Sequence, residues 1–219
     1  MQEVLNFLSE LKENNNKEWF DLNRDRYQEC RKKVLFLTEL IIHEAGKFDP
    51  EIGIQNPKDC LFRIFRDVRF SNDKTPYKTN MGSFIAKGGR KSVSAGYYLH
   101  IQPGASFVGG GSYCPPADAL KAFRTEIFDH PEEFKGLIDK ESFKKVYPEM
   151  YDDKLKTAPK GFPKDFPELD LLKYKSFAFT STLSDSEMKS DVLVEKILGS
   201  MKELYPVNRF LNTALDKWL

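Results

Sequence analysis

Glycine, aromatic and β-branched residues are concentrated in one part of the chain, residues 58–113, and helical patterns flank it on both sides. This composition is typical of short antiparallel strands joined by turns. Because the strands cluster instead of alternating with helices, the pattern predicts an α+β fold. We expect a mostly antiparallel sheet of about five strands, with helices from both chain ends packed on one face.

The strand pattern places the five strands at 60–66, 81–87, 95–102, 105–113 and 174–183. Between the third and fourth, the pair Pro103-Gly104 predicts a hairpin turn. Side chains alternate between the two faces of a strand, so one set on the third strand is expected to face the core. The two sets are Tyr97, Leu99 and Ile101 on one face, and Tyr98, His100 and Gln102 on the other.

The whole chain, 1–219, is predicted to form a single domain. Its parts are helical 1–50, strand-rich 58–113, helical 115–146, irregular 147–167, and a strand followed by helices over 174–219. Ser184 and Glu187 have the spacing of a capping box, which predicts a helix from there through Leu204. Proline lacks the backbone N–H that a helix interior requires, so we expect Pro206 to end that helix.

Charge and cysteine content exclude several classes of protein. Lys and Arg number 34 against 33 Asp and Glu, a net charge of +1, so no surface built wholly for nucleic acid or anionic lipid is expected. The three cysteines have no Cys-x-x-Cys spacing, which argues against a disulfide framework or a zinc site. The start of the chain lacks the features of a signal peptide. We expect a cytoplasmic protein with no metal, no cofactor and no membrane partner.

One segment, 58–91, is more basic than the rest, with nine basic and three acidic residues. The planar guanidinium group of arginine can donate two parallel hydrogen bonds to the oxygens of one phosphate or carboxylate. Lysine and hydroxyl groups add further donors. The segment therefore predicts a site for a small anionic ligand. The candidate binding residues are Arg63, Arg66, Arg69, Lys74, Tyr77 and Lys78, with His100 on a neighbouring strand.

Other interpretations of this segment stay open. Asp67 and Asp73 could pair with the arginines and only fix a long loop, as mixed charges often do. Alternatively, the protein is an enzyme acting on an anionic substrate, with His100 and Asp67 or Asp73 moving protons. A weaker alternative is nucleic-acid binding through the same patch.

Several motifs resemble one known family. They are the run Arg66-Asp-Val-Arg-Phe-Ser-Asn-Asp-Lys-Thr-Pro-Tyr-Lys78, together with 15–20, 96–101, 107–111 and 158–161. These segments are similar to the family catalogued as domain of unknown function 2461, and the similarity extends over nearly the full chain. The resemblance implies a shared fold. It implies no activity, cofactor or catalytic residue.

Overall fold

Four antiparallel strands form one sheet in the computed structural model, which describes residues 1–53 and 55–219. They are β1 (Met81–Ile85), β2 (Gly96–Ile101), β3 (Ser106–Ser112) and β4 (Phe177–Leu183), in the order β1-β2-β3-β4. In the ladder, Tyr98 of β2 lies opposite Phe84 of β1 and Gly109 of β3. The α+β class and the antiparallel sheet are thus confirmed, with four strands instead of about five.

The β2–β3 hairpin shows why this part of the sequence forms a sheet. Gly104 has a φ of +71°, which a glycine adopts without steric cost, and the Ala105 N–H donates to the Gln102 carbonyl at 3.0 Å. The predicted alternation on β2 is confirmed, since Tyr97, Leu99 and Ile101 are buried while Tyr98 and His100 are only partly buried.

Ten helices are found in the described residues. They are α1 (Gln2–Glu13), α2 (Lys17–Leu22), α3 (Arg24–Ala45), α4 (Pro57–Cys60), α5 (Ala117–Asp129), α6 (Pro131–Ile138), α7 (Glu141–Val146), α8 (Leu169–Leu172), α9 (Asp185–Met188) and α10 (Leu193–Trp218). Among residues 1–53 and 55–219, no helix combines the length and the apolar character that crossing a membrane requires.

The core lies between the sheet and the helices of both chain ends. Helix α10 packs against β3 and against α3, and α1 packs on α3. Contact between α10 and the sheet is close because Gly110 of β3 has no side chain, so Leu204 of α10 can approach the strand. The opposite face of the sheet, which carries Tyr98 and His100, is left partly open.

The predicted strand at 60–66 is wrong. Helix α4 extends to Cys60, and its start is fixed by Asn56, whose side chain accepts from the Lys58 N–H, and by Pro57 in the first turn. After the helix only isolated bridges form: Leu61 pairs with Ser83 of β1, and Phe65 pairs with Tyr77. Phe65 thus pairs within its own loop instead of extending the sheet.

The helices near the end of the chain also differ from the prediction. The capping box of Ser184 and Glu187 is present, but it starts the short α9, which ends at Met188, and α10 begins at Leu193. Pro206 does not end α10. Pro206 is exposed, whereas Leu204 and Val207 on either side of it are fully buried, so packing offsets the lost hydrogen bond.

Candidate functional site

A cleft of about 1050 Å³ lies on the open face of the sheet, opposite α10; we call it the sheet cleft. One side is formed by the segment that precedes β1 and by the β1–β2 loop, including Phe62, Lys78 and Arg90. The other side is formed by the end of β3 and by Tyr151, which follows a bridge to β4. Residues of all four strands line the cleft, so it extends over three strand spacings, about 14 Å.

The floor of the sheet cleft is aromatic near β1 and β2. The rings of Tyr98 and Phe107 lie 5.6 Å apart, and the His100 ring stacks on Phe107 at 4.7 Å. Toward β4 the floor is formed by small residues, Gly111 and Ala178. Because these two residues have little or no side chain, they leave space for the cleft beside the aromatic rings.

The loop of residues 66–75, which we call the clasp loop, is held closed by its own polar groups. Arg66 donates to the Asp73 carboxylate and to the Thr75 hydroxyl, and a weaker contact joins it to Ser71 at 3.4 Å. Asp73 also accepts from the Thr75 N–H at 2.9 Å. These Thr75 and Arg66 contacts lower the pKa of Asp73 to about 2. Arg66 lines the cleft, but its donors are largely used within the loop.

Three other predicted binding residues lie outside the sheet cleft. Arg69 is exposed and holds Asp67 through two bonds, of 2.9 and 2.7 Å. The Lys74 ammonium donates to the Val68 carbonyl at 3.0 Å. Tyr77 is buried and stacks on Phe20 at 4.0 Å. Tyr77 therefore supports the core, while Arg69 and Lys74 bond to oxygens of the clasp loop.

Lys78 differs from these residues, because its ammonium has no hydrogen-bond or ion-pair partner among residues 1–53 and 55–219. It is partly buried and lies over the Phe62 ring at 5.5 Å, as does Arg90 at 5.2 Å. Burial, followed by repulsion from Arg63 and Arg90, lowers the pKa of Lys78. We call Arg63, Lys78 and Arg90 the cationic cluster.

No carboxylate in the described chain forms an ion pair with any member of the cationic cluster. Within the part of the chain that the structure describes, Arg90 donates through Nε to the Asp59 backbone carbonyl, at 3.2 Å, and its two terminal nitrogens have no acceptor. The neighbouring Lys91 also lines the sheet cleft. Asp67, an acidic residue at the cleft, is held by Arg69. This side of the sheet cleft therefore has an excess of positive charge.

His100 lies in the cleft floor with both ring nitrogens bonded to the protein. Nε2 is 3.0 Å from the side-chain amide oxygen of Gln102, which can only accept, so Nε2 carries the proton. Nδ1 then accepts from the Tyr98 hydroxyl at 3.1 Å. Burial favours the neutral ring and lowers the pKa of His100, and the hydrogen bond to Gln102 opposes this effect. His100 thus orients Tyr98 and presents no free nitrogen to the cleft.

The rim near β4 was not predicted from the sequence. Tyr113 and Tyr151 meet edge to face at 5.2 Å, and both rings are exposed. Interaction with the hydroxyl of Tyr151, and then with Cys114, raises the pKa of Tyr113 to about 12. Cys114 has a φ of +48°, and its N–H donates to the buried Ser176 hydroxyl at 2.9 Å. Tyr113 and Tyr151 are 38 positions apart, so no local pattern indicates that they meet.

The structure brings some of the predicted site residues together and separates others. Arg66, Lys78 and His100 line the sheet cleft, and Arg63 lies beside it. The sequence interpretation counted Arg90 and Lys91 in the basic segment but not among the binding residues. The excess positive charge of the segment was the available signal for these two. In the described part of the chain, no three His, Cys, Asp or Glu residues are placed to hold a metal ion.

A family model described as conserved hypothetical protein (DUF2461) matches residues 3–210. The chain belongs to this family. No curated protein and no solved structure matches it. Two segments that resembled DUF2461 are in contact: Asn15 exchanges two hydrogen bonds with the Tyr77 backbone, at 2.9 and 3.1 Å, and Phe20 stacks on Tyr77. The DUF2461 motif at 66–78 thus forms the clasp loop and places Lys78.

Proposed function

We propose that this protein binds a small anionic ligand in the sheet cleft, with a phosphate or carboxylate held by Lys78 and Arg90. The observation that carries the proposal is the environment of Lys78, which is partly buried, close to two arginines and without a carboxylate partner among the described residues. Burying an ammonium without a partner is unfavourable, and an anion between Lys78 and Arg90 would offset that penalty.

Compared with the sequence interpretation, the proposal moves the site from the middle of the basic segment to its end. Arg66 and Arg69 are occupied by carboxylates of the clasp loop, so neither is assigned to the ligand. Arg63, next to Lys78, adds positive charge. The proton-transfer alternative has less support, because His100 has no free ring nitrogen and both Asp67 and Asp73 are engaged by arginines.

Thermal unfolding with inorganic phosphate tests the proposal. At ten times the dissociation constant a bound anion stabilises the fold by about 1.4 kcal/mol. For a chain of this length, that raises the melting temperature by about 3–6 °C. We expect Lys78→Gln to remove most of this rise. Lys74→Gln is the matched control, since Lys74 lies in the same segment but outside the cleft, and it should keep the rise.

The comparison between variants decides the outcome, because phosphate also stabilises folded proteins by exclusion from their surface. That general effect is the same for both lysine variants. Equal stabilisation of Lys78→Gln and Lys74→Gln by phosphate, relative to chloride at matched ionic strength, would contradict binding at Lys78.

A further inference from the structure

The sheet cleft is much larger than an isolated anion requires. Its volume of about 1050 Å³ lies just above the range of about 300–1000 Å³ that is usual for small-molecule sites. The cationic cluster occupies only the side next to β1, while the cleft continues across the sheet to Tyr113 and Tyr151. A phosphate at Lys78 thus leaves room for a body attached to it.

The surfaces beyond the cationic cluster favour a flat ring as that body. Tyr98 and Phe107 form the floor and are partly exposed, although this face lies within a concave site. At the far rim, 64% of Tyr113 and 47% of Tyr151 are exposed. Aromatic faces in contact with solvent gain most from stacking with another planar ring. A purely aliphatic acid would use these faces poorly.

Two polar side chains in the sheet cleft have unused hydrogen-bonding capacity. Asn80 and Thr180 both line the cleft, and within the described chain neither the amide nor the hydroxyl has a partner. An asparagine amide offers a donor and an acceptor side by side, which matches the paired groups on the edge of a nucleobase. A plain phenyl ring would leave the amide unsatisfied.

We infer that the ligand is a nucleoside monophosphate, with its phosphate at Lys78 and Arg90 and its base over Tyr98 and Phe107. This inference rests on the proposed function and adds the chemical class of the ligand. The free cations are gathered at one side of the cleft, which suits one terminal phosphate. A nucleic-acid strand requires positive charge along a continuous track.

Titration calorimetry on the wild-type chain tests this inference without any substitution. The probes are AMP, GMP, CMP and UMP, each compared with its own nucleoside and with ribose 5-phosphate. Because stacking of one base is worth about 1–3 kcal/mol, we expect at least one nucleotide to bind about tenfold or more tightly than ribose 5-phosphate. The same nucleotide should bind more tightly than its nucleoside, which lacks the phosphate.

Two variants then separate the base from the phosphate. Phe107→Leu should reduce nucleotide affinity to that of ribose 5-phosphate and leave the affinity for ribose 5-phosphate unchanged. Lys78→Gln should reduce nucleotide affinity to that of the nucleoside. Phe70→Leu, at a fully exposed ring outside the cleft, is the control and should change neither. Should Phe107→Leu not fold, saturation-transfer NMR on the wild type should show the base protons closer to the protein than the ribose protons.

The possible outcomes distinguish this inference from the proposed function. Ribose 5-phosphate binding as tightly as every nucleotide would overturn the nucleotide inference and leave anion binding intact. Nucleosides binding as tightly as nucleotides, with no effect of Lys78→Gln, would overturn anion binding itself. If none of the four nucleotides binds at millimolar concentration, the inference is also overturned. The same holds if an eight-nucleotide DNA strand binds tightly, and with a steep salt dependence, while the nucleotides do not.

Discussion

The proposed function depends on the local environment of one residue, Lys78. Arg66 and Lys78 both lie in the DUF2461 motif and both line the sheet cleft. Arg66 is surrounded by acceptors from its own loop, whereas the Lys78 ammonium lies over the Phe62 ring beside two arginines and has no acceptor among the described residues. The positive charge of Arg66 thus closes the clasp loop, whereas the positive charge of Lys78 is left for a ligand.

The pH dependence of anion binding should report on Lys78. An ammonium is charged below its pKa, and burial together with the neighbouring arginines places the pKa of Lys78 below the usual 10.5. As the pH rises, sulfate, whose charge is constant in this range, should lose affinity with a midpoint below 10.5. Losing a charged hydrogen bond of about 1.5–3 kcal/mol lowers affinity about 10- to 150-fold.

Titration calorimetry with sulfate at increasing pH measures this effect, and Lys78→Arg is the control. Arginine remains protonated throughout this range, so the variant should keep its affinity at high pH. If Lys78→Arg lost affinity over the same pH range as the wild type, a group other than Lys78 would be responsible.

At the scale of elements, the segment 66–78, which contains the clasp loop, joins the helical start of the chain to the sheet cleft. Asn15 and Phe20, at the α1–α2 connection and in α2, hold Tyr77 by hydrogen bonds and stacking. Lys78 follows directly, and its N–H donates to the Ile64 carbonyl at 2.8 Å. The Arg66–Asp73 pair closes the loop between these fixed ends. The position of Lys78 therefore depends on contacts to the helices as well as to the sheet.

Asp73→Asn should loosen the clasp loop without unfolding the rest of the chain. The substitution removes the charge that Arg66 contacts and weakens the acceptor for the Thr75 N–H. Limited chymotrypsin digestion at Phe70, whose ring is 95% exposed, measures the opening of the loop. We expect cleavage to accelerate several-fold, whereas the free energy of unfolding changes by less than about 1 kcal/mol, as is usual for exposed ion pairs.

Asp67→Asn is the matched control for this experiment. Asp67 and Arg69 also form an ion pair, but the two residues are only two positions apart, so their pair closes no loop. Its loss should leave the rate of cleavage at Phe70 nearly unchanged. Equal cleavage rates for the wild type and Asp73→Asn would show that the Arg66–Asp73 contact does not hold the loop.

Across the whole molecule, buried polar contacts connect the sheet to helices from distant parts of the chain. Tyr97 of β2 donates to Asp49, after α3, at 2.8 Å. The carbonyl of its neighbour Gly96 accepts from Asn208 of α10 at 3.2 Å. These contacts join segments that are 48 and 112 positions apart. They fix β2 against the helices on the core face and leave its other face to form the floor of the sheet cleft.

The sequence predicted those features that depend on local patterns. Alternation on β2, the Pro103-Gly104 turn and the α+β class follow from neighbouring residues, and the structure confirms all three. Two predictions were wrong: that Pro206 ends a helix, and that residues 60–66 form a strand. Burial of the residues around Pro206 and pairing of Phe65 within its loop both involve distant residues, and both outweigh the local preference. The basic segment was recognised, but only coordinates distinguish Arg66, bonded to Asp73, from Lys78, which faces the cleft.

The contact between Gly110 and α10 is the place where the packing of the whole molecule can be tested. A Cβ at Gly110 would lie 2.1 Å from the Gly96 carbonyl oxygen and 2.6 Å from a Leu204 methyl group. Gly110→Ala must therefore push β2 and α10 away from β3, and overpacking of this kind costs about 1–3 kcal/mol. Urea unfolding measures the loss.

Gly136→Ala is the matched control, because Gly136 lies in α6 and, apart from the adjacent residues and the backbone of that helix, no atom of the described residues lies within 4 Å of the added Cβ. Alanine favours a helix over glycine by about 0.5–1 kcal/mol, so this variant should be more stable than the wild type. The same methyl group is thus expected to act in opposite directions at the two positions. If Gly110→Ala were as stable as the wild type, α10 would not lie as close to β3 as the structure places it, and the sheet cleft would lack the rigid support on its opposite face that holds Tyr98 and His100 in position.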